Sequence, residues 1–141
     1  MKKTDEHLIA LLQENARRST SDLARVLGVS RSTVQSRLQR LESQGIIKGY
    51  TLVYGEEYEK GLVAAQVLIK VSQKLTARTI RELRAMAHVR VLHSISGDYD
   101  LIAMIQAEST EALSQTLDEI GNLEGVERTN SSVILETKFR R

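Results

Sequence analysis

Residues 19–50, STSDLARVLGVSRSTVQSRLQRLESQGIIKGY, constrain the fold more than any other stretch of the chain. Ser19 and Ser30 each stand just before a helical apolar pattern. A hydroxyl there accepts a hydrogen bond from a backbone N–H two or three residues on and so starts a helix. Ser19 with Asp22 resembles a capping box, with Asp in the usual place of Glu. Leu23, Ala24 and Leu27 form the buried side of this short helix, and Gly28 suits the left-handed residue that ends it. After Ser30, the residues Val34, Leu38 and Leu41 recur at i, i+4 and i+7, which marks one buried face; Gly45 ends this helix. Upstream, Thr4 reads as the cap of a first helix, with Asp5 and Glu6 near the positive end of its dipole. Leu8, Ile9, Leu11 and Leu12 give it an apolar side and Asn15 stops it. Ile46, Ile47, Tyr50 and Leu52 suit a β-wing. The order is that of a winged helix-turn-helix.

With the apolar side of the third helix fixed, Arg31, Ser32, Thr33, Gln35, Ser36 and Arg40 are left facing outward. Arg can read guanine, Gln can read adenine, and Ser or Thr can bond bases or phosphates. Arg37 has two open roles, a phosphate contact or an ion pair inside the head. The charge distribution fits a double-stranded DNA partner. The whole chain carries only +2, but residues 1–50 hold nine Lys/Arg against five Asp/Glu. Residues 51–60 hold one Lys against three Glu, and residues 61–141 hold ten of each sign. A winged head can also be recruited for protein contacts, so the motif by itself is not a function.

Residues 53–61, VYGEEYEKG, read as a linker; the even spacing of Tyr50, Tyr54 and Tyr58 fits packing there better than base stacking. A regular alternation follows. Strands are expected over 62–71, 89–96, 100–107 and 126–138, and helices over 76–88 and 110–123. Val63, Ala65, Val67, Ile69 and Val71 share one strand face; Ile80, Leu83, Ala87, Leu113, Leu117 and Ile120 face inward from the helices. The β-α-β-β-α-β order predicts a ferredoxin-like domain with helices on one side of the sheet. The fold class is therefore α+β, with a head at 1–52, a linker at 53–61 and a second domain at 62–141. Apolar residues on both faces of strands 62–71 and 100–107 imply that the second face is buried too, most simply against a second copy. A head of about 50 residues is near the lower limit for folding alone.

The absence of Cys excludes disulfides, thiol catalysis and Cys-ligated zinc. There is no metal-ligand spacing, no phosphate-binding Gly loop and no nucleophile with its base, so no cofactor is expected. The start MKKTDEHLIALL turns polar too soon for a signal peptide, and no apolar run approaches a membrane span. A cytoplasmic protein with no membrane partner is the expectation.

LLQENAR (11–17), DLARVLGVSRSTVQSRLQRLESQGIIKGY (22–50), SGDYDL (96–101) and GVERTNSSVIL (125–135), in this order, resemble the Lrp/AsnC family of feast/famine regulators. The resemblance covers nearly the whole chain. It implies transcriptional control answered by a small molecule, usually an amino acid. It also implies a homodimer built on the sheet domain, often assembled into tetramers, octamers or larger discs. In relatives the ligand sits between dimers, near the loop matching Gly97-Asp98-Tyr99-Asp100 and near the last strand. Here Gly97 would allow close backbone approach, Asp98 or Asp100 could attract an ammonium group, and Thr129 and Ser131 could hold a carboxylate. The plainer reading is a hairpin turn at Gly97-Asp98 with Tyr99 filling an interface. The competing function is that of the haem-pathway decarboxylases that share this architecture. They need basic residues and His around a tetrapyrrole, and His88 and His93 are the residues available. Their positions at a helix end and in an alternating strand fit structural roles better, and the basic recognition helix argues against an enzyme.

Overall fold

The computed structural model describes residues 2–140 and divides between Val53 and Tyr54 into two compact units. In the first unit α1 spans Lys3–Glu14, α2 spans Thr20–Leu27 and α3 spans Arg31–Ser43. The Ser19 hydroxyl accepts from the Asp22 N–H, and Ser30 accepts from the Thr33 N–H, so both expected caps form. Gly28 takes φ 67°, a left-handed conformation that a Cβ disfavours, and it turns the chain from α2 toward α3. Leu8, Leu11, Leu23, Ala24, Val34 and Leu41 make the core, with Leu38 and Ile47 packed against it.

Three local expectations are corrected here. Thr4 does not cap α1: the helix begins two residues earlier than that cap implies, at Lys3, after an extended Lys2 that offers no capping side chain. Asp22 does not close a capping box. It pairs with Arg25 and Arg18, whose guanidinium groups hold its carboxyl below the usual range. The wing does not form: among the described residues no strand precedes Val63. A hairpin needs a returning strand, and after Ile46 the chain meets none within this unit. Leu52 and Val53 are 79% and 88% exposed. Tyr50 bends back so that its phenol donates to Glu42 at 2.8 Å, and that carboxylate pushes the phenol pKa up.

In the second unit the one-turn α4, Glu56–Glu59, lies within the polar segment read as a linker, and its Tyr58 ring packs on Tyr54 at 4.6 Å. β1 spans Val63–Val71, α5 Thr76–Ala85, β2 Val89–Ser94, β3 Leu101–Ala107, α6 Thr110–Gly121 and β4 Val126–Ile134. The sheet is antiparallel in the order β2-β3-β1-β4, the ferredoxin-like arrangement. Ala65, Val67, Ile69 and Val71 alternate inward with Leu101, Ala103, Ile105 and Ala107, and pack with Leu83, Leu113 and Ile120 from the two helices. β4 is shorter than expected, stopping at Ile134 instead of Lys138. Likewise α5 stops at Ala85, which leaves Ala87 exposed while Met86 packs on the core in its stead.

The register assigns the opposite face without ambiguity. Leu68 pairs with Ile102, Gln66 with Met104, and Val91 with Met104, so these side chains share the side away from the helices. Leu68, Ile102 and Met104 are half-buried in the single chain and Val91 is exposed.

Candidate DNA-binding face and effector loop

The outward side of α3 splits into three rows at helical spacing. Arg31 and Gln35 form one row, Ser32 and Ser36 a second, and Thr33, Arg37 and Arg40 a third. Arg31, Gln35 and Ser36 are exposed, and their side chains hold no hydrogen bond or ion pair to another described residue. They are therefore free to meet base edges. Ser32 and Thr33 are less free. Their hydroxyls lie 3.0 and 2.8 Å from the Ser30 hydroxyl, in a network that also caps the helix.

The third row departs from expectation. One end of Arg40 is engaged within the head: its Nη2 donates at 2.7 Å to Asp5, a nearly buried carboxylate on α1. Among the described residues Arg37 has no acidic partner. Its Nη1 is shut off from solvent and unpaired. Thus the ion pair weighed for Arg37 belongs to Arg40. Thirty-five residues separate Asp5 from Arg40, and no local pattern announces the pair. Lys2, Thr4, Ser32, Thr33, Ser36, Arg37 and Arg40 line a cleft of about 440 Å³ beside this row. Sequence reasoning missed Lys2 and Thr4 as members of that surface. An excess of positive charge near the amino end was the only signal for them.

The loop between β2 and β3 brings some of the other candidates together. Gly97 has φ 106°, which an L side chain rarely adopts, but a Cβ there would meet open space. Its glycine is required by the turn and not by crowding within the chain. Asp98 is exposed. Asp100 is already engaged: its carboxylate accepts from the Val71 N–H at 2.9 Å and lies 3.7 Å from Lys70 Nζ. It fastens the start of β3 to the end of β1, which leaves Asp98 as the free carboxylate. Tyr99 stacks under the guanidinium of Arg128, 5.0 Å from the ring centre. Thr129 and Ser131 do not share that contact. They pair across β4 with inward-facing Ile69 and Val67, so they point to the helix side, whereas Arg128 pairs with Lys70 on the other side. Leu101, which begins β3 after this loop, lies two strands from Thr129, about 10 Å across the sheet.

His88 is held on both ring nitrogens. Nδ1 lies 2.9 Å from the Thr116 hydroxyl and Nε2 lies 3.0 Å from Glu108, a tie between the sheet and α6. His93 is exposed on the face away from the helices. Neither lines the cleft beside α3 or the one formed by Ile80, Arg84 and residues 89–92. Among the described residues no cluster of His, Asp or Glu fits a metal ion, and no helix is long and apolar enough to cross a membrane.

A helix-turn-helix head followed by a ferredoxin-like sheet domain makes a two-part architecture. Residues 1–42 match the AsnC-type helix-turn-helix domain and residues 64–141 match the Lrp/AsnC ligand binding domain. The chain belongs to the Lrp/AsnC family of transcriptional regulators. It is 30% identical to the HTH-type transcriptional regulator LysM of Saccharolobus solfataricus, over 97% of this chain and 95% of the relative. The fold is shared with Escherichia coli AsnC, at TM-score 0.89 and 22% identity, over 100% of this chain and 96% of that one. It is also shared with a transcriptional regulator from Neisseria meningitidis solved in complex with L-Met, at TM-score 0.89 and 23% identity, over 99% and 93%.

Proposed function

We propose that this chain is a homo-oligomeric regulator that recognises a specific operator and whose assembly or DNA binding is modulated by an amino acid or a related metabolite. The head at 1–52 would read DNA, and the domain at 62–141, reached through 53–61, would carry the effector and the assembly surface. Such a protein acts in the cytoplasm. The observation that carries the reading is the pair Arg31 and Gln35, one turn apart, exposed and uncommitted on α3. Both can make two hydrogen bonds to a base edge, Arg to guanine and Gln to adenine. Arg31→Ala and Gln35→Ala should each cost ~1–3 kcal/mol on the operator and far less on random duplex. Gel shifts on DNA flanking the protein's own gene, against a scrambled duplex, measure the difference. Equal losses on both DNAs would reduce these residues to backbone contacts and remove the specificity claim.

For the effector, the turn Gly97-Asp98-Tyr99-Asp100 supports a small zwitterion bound where two dimers meet. Asp98 is the exposed carboxylate suited to the ammonium group, because Asp100 already serves the Val71 N–H. The structural relative bound to L-Met supports an amino acid as the ligand class. A thermal-shift screen of the amino acids should reveal the effector. Gly97→Val should then abolish the response, because φ 106° strains any branched residue, while the head remains folded. Wild-type effector affinity in Gly97→Val would mean that the turn is structural only.

The assembly surface is the sheet face carrying Leu68, Ile102, Met104 and Val91. The apolar character of this face, on strands paired edge to edge, is the reason for assigning the partner copy there.

A further inference from the structure

We propose that the cleft between the start of α1 and the Thr33-Arg37-Arg40 row of α3 seats one backbone phosphate of double-stranded DNA, gripped by Arg37 and Lys2. The proposal rests on the DNA-binding reading of α3 and adds a second wall to it, supplied by α1. Arg37 is the main observation: it lines the cleft, and among the described residues its guanidinium has no acidic partner and its Nη1 no hydrogen-bond acceptor. A guanidinium without a carboxylate partner beside an open cleft is a ready charged donor to an anionic oxygen there. Lys2 adds a second charge, and Thr4, Ser32, Thr33 and Ser36 put hydroxyls around the same space. Arg40 also lines the cleft, but its charge is matched by Asp5 at 2.7 Å. The unbalanced cations are therefore Lys2 and Arg37.

The lining fits a phosphate better than an amino-acid effector. All seven residues are charged or carry hydroxyls, so nothing apolar would hold an effector side chain. With ~30 Å³ of liquid volume per water, a cleft of about 440 Å³ holds a phosphodiester with part of its sugars and bridging water. It flanks the helix that carries Arg31 and Gln35, where a groove-bound helix meets the backbone. Contacts of this kind set the register of the reading helix and carry no sequence information themselves.

The test is the salt dependence of binding by the full chain to a random-sequence duplex, followed by fluorescence anisotropy. Each phosphate neutralised contributes a slope of about −0.9 in log K against log salt. Arg37→Gln should flatten the slope by about 0.9 for each head engaged. The wild-type advantage would then shrink about 3.5-fold per head between 50 and 200 mM salt. Arg37→Lys should keep most of the slope, because a point charge remains. Lys2→Gln, at an exposed residue ahead of α1, should flatten the slope in the same direction without any burden on folding. Arg78→Gln removes a charge from α5 in the second unit and should leave the slope unchanged. A folded Arg37→Gln and a Lys2→Gln that both keep the wild-type slope would overturn the proposal. So would stabilisation by inorganic phosphate at matched ionic strength without any change in DNA slope, since that assigns the cleft to a free anion. A wild-type chain that binds no duplex at all would instead remove the DNA reading on which the proposal rests.

Discussion

Gly125→Ala should lower the stability of the second unit by about 3 kcal/mol, the upper part of the usual range for overpacking. An added Cβ at this buried position would fall 2.1 Å from the Thr79 hydroxyl oxygen and 3.0 Å from Leu75 Cβ. Neither neighbour can yield easily. Thr79 is fully buried, and its hydroxyl donates to the Leu75 carbonyl at 2.8 Å, which fixes its rotamer. Gly125 is itself tethered, its carbonyl accepting from the Ser72 N–H at 2.8 Å. For a unit of this size the loss corresponds to a melting temperature lower by roughly 15 °C. Calorimetry of the full chain should show it as a drop in the transition of the sheet domain. Thr79→Ala in the same chain should recover part of the loss, a coupling that a double-mutant cycle reads directly. A Gly125→Ala transition within a few degrees of wild type would mean that the β4 entry shifts aside at little cost.

Ile102→Asp should turn a dimer or larger assembly into a monomer that still folds. Ile102 pairs with Leu68 on the face away from the helices, and two-fold symmetry would present the introduced carboxylate twice in one interface. Each buried, unpaired charge costs several kcal/mol, more than an ordinary interface can absorb. Val67→Asp is the informative contrast. Val67 is buried against the helices, so a charge there should unfold the domain before any question of assembly arises. Sedimentation equilibrium and melting curves on the two variants separate the faces. A wild-type chain that sediments as a monomer, or an Ile102→Asp chain that stays dimeric, would move the assembly surface elsewhere.

These two substitutions also mark where sequence reading stopped. Alternation along 62–71 showed that Val67 and Ile69 share a face, and apolar residues on both faces implied a covered second side. Which face met the helices was not legible, because alternation is symmetric until strands are paired. The β1–β3 register and the packing of Leu83, Leu113 and Ile120 decided it. The wing failed for a related reason. Ile46, Ile47, Tyr50 and Leu52 have strand character, yet a strand exists only with a partner, and this unit supplies none.

By itself the sequence determined whatever depends on near neighbours. The Ser19 and Ser30 caps act over three residues, Gly28 acts at its own φ, and the core stripe of α3 follows from a period of 3.6. The β-α-β-β-α-β order and the family motifs belong to the same level, since each is a pattern along the chain. Beyond pairs one helical turn apart, such as Asp22 with Arg18 and Arg25, tertiary structure decided which charges are spent and which are free. Arg40 meets Asp5 across 35 residues, the Asp100 carboxylate meets the Val71 N–H across 29, and Arg128 covers Tyr99 from another strand. Arg37 and Arg40 sit three residues apart on one helix face, yet one is paired and the other has an unpaired, buried N–H. A charged side chain reaches several ångströms in any direction, so its partner is fixed by whatever the fold packs beside it, and sequence spacing carries no record of that choice.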